Sequence, residues 1–93
     1  MSRPFVFGFT VYKSFEYVSV WDTGIIPVPQ RDEPILGGHA VVACGYDNQK
    51  GVLIRNSWGT QWGMSGYGWM PWEYFTMGIC DDLWTINLVE KGL

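Results

Sequence analysis

Gly37-Gly38-His39-Ala40-Val41 and, seventeen positions after the histidine, Asn56-Ser57-Trp58-Gly59-Thr60-Gln61-Trp62-Gly63 decide how this chain reads. Between them lie two short apolar runs, 40–46 and 52–55, separated by Asp47-Asn48-Gln49-Lys50-Gly51. Turn chemistry between partly β-branched runs is the signature of a hairpin. Such a hairpin sets His39 and Asn56 at the open ends of its two strands. Cross-strand neighbours there are close enough for an amide oxygen to accept a hydrogen bond from an imidazole N–H. Exposed, that bond competes with water; under an indole it sits in a lower dielectric and strengthens. Trp58, two positions after Asn56, is the candidate shield.

Working outward, Phe5, Phe7, Phe9 and Val11 alternate with Val6, Gly8 and Thr10, a period of two that predicts a strand over 5–12 with one heavily buried face. Residues 14–17 suit a helical turn. Asp22-Thr23-Gly24 and the prolines at 27, 29 and 34 predict a long irregular loop leading to His39. The Gly-rich segment 59–68 returns as a strand over 67–70, residues 71–75 suit a helical turn, and 83–88 a final strand. The expected fold class is mainly β with short helical turns, an antiparallel sheet curling toward a barrel, in one domain over 1–93.

Composition narrows the function. With 93 residues there is room for one domain. Charged residues are 16% and aromatic residues 17%, six of them Trp, so much apolar surface has little polar surface to cover it. We expect an apolar contact face and self-association. A net charge of −3 and no Lys/Arg cluster argue against a nucleic-acid partner. No apolar run reaches the length of a membrane span, so no membrane partner is expected. Cys44 and Cys80 are too few and too isolated for a zinc site, and no metal or cofactor is implied. Gly63-x-x-Gly66-x-Gly68 is better explained by turns than by dinucleotide binding. Asp81-Asp82 reads as a solvated pair, and Trp69, Trp72 and Trp84 as core.

Asn-Ser-Trp-Gly, a second Trp-Gly after Thr-Gln, Gly66-Tyr67, and the preceding His-Ala-Val and Gly45-Tyr46 together resemble the histidine and asparagine half of a papain-like cysteine peptidase. With Met70-Pro71 and Asp82 in the tail, the likeness is to the bacterial branch. The resemblance implies the C-terminal half of an α+β fold, facing a helical domain across a peptide-cleaving cleft. It implies His39 and Asn56 as catalytic residues, Trp58 as their shield, Trp62 as part of the leaving-group side, and Gly8, Gly38 and Ala40 as lining of a substrate pocket. In that family a Cys thiolate attacks the peptide carbonyl, imidazole moves the proton, and Asn orients the imidazole.

The family's nucleophile lies about 130–150 residues before its His and Asn, whereas no Cys precedes His39 here. Strand alternation puts residues 41 and 43 on the face of His39 and Cys44 on the other, and nothing directs Cys80 toward the histidine. The implied partners are a peptide or protein substrate and a separate N-terminal helical domain bearing the Cys. The resulting expectation is a peptidase part that is inactive alone. The alternative is a catalytically dead peptide-binding or interaction module derived from a peptidase.

Overall fold

The structure is a computed structural model that describes residues 4–80; the expected strand at 83–88, with Asp81, Asp82 and Trp84, lies outside them. Strand β1 (Phe5–Tyr12) alternates as its sequence requires, with Phe7, Phe9 and Val11 buried. A 3-10 turn (Lys13–Glu16) follows directly and buries Phe15. Next come helix α1 (Val18–Thr23), strand β2 (Ile35–Asp47), strand β3 (Gly51–Arg55), strand β4 (Tyr67–Met70) and helix α2 (Glu73–Thr76). The strands form one antiparallel sheet in the order β1-β2-β3-β4. Among the described residues this sheet is open, with β1 and β4 as its edges, so the curl does not close into a barrel.

Two features depart from expectation. Helix α1 occupies ground read as irregular: Val18, Val20 and Thr23 are β-branched and disfavour helix, but tertiary contacts hold it. Gly24 ends it in the left-handed conformation, φ 74°, donating its N–H to the Val20 carbonyl at 2.8 Å. The Gly24 carbonyl then accepts from Trp69 N–H at 2.7 Å, and Ile26 N–H returns a bond to the Trp69 carbonyl, so the helix exit is laced to β4. Strand β2 is also far longer than predicted. It begins at Ile35, so Gly37-Gly38-His39 belongs to the ladder with β1, where Gly38 faces Thr10 and His39 faces Phe9. The β2–β3 ladder covers only the far part of β2 and ends where Arg55 faces Val42.

The expected turn between β2 and β3 is present. Asp47 Oδ1 accepts the backbone N–H groups of Gln49 and Lys50 at 2.8 and 2.9 Å, and these bonds hold its carboxyl below the usual range. Phe7, Phe9, Phe15, Ile54, Trp62, Met70 and Tyr74 fill the core on the face of the sheet that carries Val41 and Ala43. Burying each large apolar side chain contributes about 1.5–3 kcal/mol against the entropy of ordering the chain. His39 shares that face and sits at the edge of the core.

Candidate active site

Register explains how His39 and Asn56 meet. Continuing the β2–β3 ladder by one residue past Arg55 sets Asn56 opposite Val41, which makes His39 its diagonal neighbour on the same face. His39 is therefore not at a strand end, as the sequence implied, but inside β2, and it meets Asn56 across a diagonal. The contact is closed: His39 Nε2 lies 2.7 Å from Asn56 Oδ1. The same oxygen accepts the Ser57 backbone N–H at 2.8 Å, and because that N–H can only donate, the amide orientation is fixed. Nε2 must then be the protonated nitrogen. In neutral imidazole this leaves the lone pair on Nδ1, a ready proton acceptor that makes no hydrogen bond among the described residues.

The residue that fixes this tautomer is itself well held. Asn56 is only 5% exposed, and its backbone N–H donates to the Gly66 carbonyl at 2.9 Å, closing the 56–66 loop at its neck. Its Nδ2 is buried without a partner among the described residues. Inside the loop, Gly66 N–H donates to the Trp62 carbonyl at 2.8 Å and Gly63 N–H to the Trp21 carbonyl of α1 at 2.7 Å. Gly63 has φ 60°, and a Cβ there would lie 2.4 Å from the Tyr67 carbonyl oxygen, so this turn admits no side chain.

Trp58 stands where the sequence put it, half-buried and stacked on the imidazole, ring centroids 5.0 Å apart and planes 24° from parallel. Trp62 does not. It is 0% exposed and stacks on Phe15 at 5.7 Å, so it underpins the site from within the core rather than facing a leaving group. Gly68 makes room for it, since a Cβ there would come within 2.7 Å of the indole. The two Trp-Gly pairs look alike in sequence but differ in depth, Trp62 fully buried and Trp58 half-buried, with their rings edge-on at 6.3 Å. Phe9, which the sequence placed on the buried face of β1, and Phe15, to which it gave no role, complete the aromatic box. Phe9 approaches His39 edge-on at 5.8 Å and Phe15 at 6.4 Å, while Phe15 also meets Trp58 edge-on at 5.5 Å. The period-two burial of β1 was the only available signal for Phe9, and nothing marked Phe15. Beneath them Tyr74 packs edge-on to Phe9 at 5.9 Å; burial, with lesser charge effects from Glu33, Cys80 and Tyr12, pushes its hydroxyl well above the ordinary tyrosine range.

Beside the pair lies an open cavity of about 550 Å³ reached by His39, Ala40, Val42, Asn56 and Arg55. Of the three residues expected in a substrate pocket, Ala40 lines it. Gly8 faces Ala40 across the β1–β2 ladder but does not, and neither does Gly38, which is exposed, with nothing within 4 Å of where a Cβ would stand. Neither cysteine approaches the imidazole. Cys44 sits at the β2 irregularity between Ala43 and Gly45, half-exposed and on the face opposite His39. Cys80 bridges to the far side of Phe9, two strand spacings or about 10 Å from His39 along the sheet.

Residues 1–84 match the profile of papain family cysteine proteases. The chain belongs to the papain family. It is 43% identical over 92 residues to an uncharacterized peptidase C1-like protein of Acanthamoeba polyphaga mimivirus, covering 97% of this chain and 30% of that protein. Over 69 residues it is 56% identical to pro-cathepsin H of Mus musculus, covering 70% of this chain and 20% of that one. The solved structure of xylellain, a cysteine protease from Xylella fastidiosa, superposes with a TM-score of 0.76 at 44% identity, over 87% of this chain and 31% of xylellain. The papain-family chain thus spans under a third of the length of these relatives, and the antiparallel sheet with few short helices is the shared fold of that part.

Proposed function

We propose that this chain is the histidine- and asparagine-bearing part of a cysteine peptidase, in which His39 moves the proton and Asn56 orients it. The observation that carries the reading is the 2.7 Å bond from His39 Nε2–H to Asn56 Oδ1 beneath the Trp58 ring. It leaves the lone pair on Nδ1. A thiol brought to Nδ1 would yield its proton there; the thiolate would attack the substrate carbonyl, and the imidazolium would return the proton to the departing amine. Water deprotonated by the same nitrogen would then release the acyl group.

The thiol comes from polypeptide outside these 93 residues, a helical domain carrying the nucleophilic Cys, and the substrate is a peptide or protein lying between the two. The positions of Cys44 and Cys80 support this assignment, since neither shares the imidazole's surroundings. Val18, 75% exposed, and the exposed Ile25, Ile35 and Leu36 are apolar side chains that such a partner would cover, and self-association is the expected outcome in its absence.

The test is turnover of fluorogenic peptides by the purified 93-residue chain, alongside Cys44→Ser and Cys80→Ser variants. No thiol-dependent turnover is expected from any of them. Turnover by the chain alone that is lost in either Cys variant and in His39→Ala would overturn the proposal by placing the nucleophile inside it. A chain in which His39 and Asn56 are separated in solution would instead favour a catalytically dead interaction module.

A further inference from the structure

Trp58 shields the His39–Asn56 bond only while its own ring is held over it, and something must hold it. The 56–66 loop is Gly-rich and its tip is exposed, with Ser57, Gly59, Thr60 and Gln61 all facing water. A half-buried indole on such a loop keeps one rotamer only while its neighbours hold it there. One face is on the imidazole. The second stacking contact comes from Trp21 of α1, centroids 5.8 Å apart and planes 17° from parallel. Among the described residues no ring contact joins Trp21 to His39, so Trp21 bears on the imidazole through Trp58. Phe15 and Trp62 meet Trp58 edge-on, at 80° and 90°, and close its flank.

We infer that Trp21 is a positioning residue for the His39–Asn56 pair, pressing Trp58 onto the imidazole and keeping water from the Nε2–H bond. This deepens the reading given above and rests on it for its catalytic meaning, although the device itself is a matter of geometry. Trp21 is 37% exposed, outside the core, and among the described residues the ring it contacts is Trp58. Its backbone is already committed to the same loop, since the Trp21 carbonyl accepts Gly63 N–H at 2.7 Å. That bond survives any side-chain substitution at 21. A change to the side chain therefore tests the ring alone, with the loop still tethered to α1.

The experiment follows the His39 Nε2–H proton by NMR in the full 93-residue chain, with backbone amide protection in β2 and β3 as the measure of an intact fold. In Trp21→Ala and Trp21→Leu the imidazole proton should exchange with water about three- to tenfold faster, the range of opening that one aromatic stack controls. Trp21→Phe should restore slow exchange, and β2–β3 amide protection should be unchanged throughout. Leu and Phe are both large and apolar, so the pair remains decisive if the Ala variant does not fold. Equal exchange in the Leu and Phe variants, or wild-type exchange in all of them, would overturn the inference. Either result leaves the peptidase assignment standing, because that is tested by the location of the nucleophile.

Discussion

Replacing Asn56 with Ala should destabilise the domain by about 1–3 kcal/mol, the cost of leaving buried donors unsatisfied. The figure follows from the atoms concerned. Asn56 Oδ1 accepts two bonds, from His39 Nε2–H at 2.7 Å and Ser57 N–H at 2.8 Å, and both donors lose their partner in Asn56→Ala. In the variant, water can enter the space the amide leaves beside the imidazole and can reach the exposed Ser57, so neither donor bears the full penalty. Against this, the substitution also removes Nδ2, a buried donor that is unpaired among the described residues and is itself a cost in the wild type. The sum therefore falls within the range of one lost bond, not two. For a domain of this size about 2 kcal/mol corresponds to a melting shift of roughly 10 °C. Thermal unfolding followed by circular dichroism measures it. The His39 Nε2–H signal should disappear in the same variant through fast exchange with water. A melting temperature indistinguishable from wild type, with the imidazole proton still protected, would refute the idea that this bond is formed and shielded.

Gly68→Ala should lose about 1–3 kcal/mol, as overpacked cores do, because the new methyl meets the Trp62 ring at 2.7 Å and the Gly24 carbonyl oxygen at 2.9 Å; a urea midpoint unchanged from wild type would show that the indole has room to shift. Glu33 latches the 24–34 loop by accepting Ser14 N–H at 2.8 Å and Gln30 N–H at 2.7 Å. Burial raises its pKa, but these bonds together outweigh burial and hold the carboxyl below its ordinary 4.5. A depressed folded pKa means that the latch contributes fully above the ordinary value and that its contribution is lost as pH falls through the folded one. The stability gap between wild type and Glu33→Gln, from urea melts at stepped pH, should thus be open at neutral pH and close in acid; a gap that widened in acid would contradict the predicted sign.

What could be read from sequence was whatever local pattern controls. The alternation in β1, the Asp47 to Gly51 turn and the spacing of His39, Asn56 and Trp58 are local or motif-borne, and all appear in the structure. The start of β2 was hidden because Pro34 and Gly37-Gly38 carry loop chemistry; only pairing with β1, far earlier in the chain, makes a strand of the two glycines. Helix α1 was hidden for a related reason, since its β-branched residues argue against helix and its support comes from Gly63 and Trp69 across the fold. The burial of Trp62 depends on the space left by Gly68, six residues further along the chain. Trp58 and Trp62 carry the same dipeptide, and no local rule separates them.

The central claim is that His39 and Asn56 remain a competent half of a peptidase site. The similarity to xylellain, 44% identity over 87% of this chain and 31% of that one, sets the boundaries of a chimera in which residues of this protein stand in for the matching part of xylellain. Peptide hydrolysis by that chimera, measured with a fluorogenic substrate against active sites titrated by a thiol-directed inhibitor, is the most direct measurement. The account predicts turnover that His39→Ala in the grafted part abolishes and Asn56→Ala lowers. A folded chimera whose thiol titrates but which cleaves nothing, or whose turnover is indifferent to His39→Ala, would contradict it.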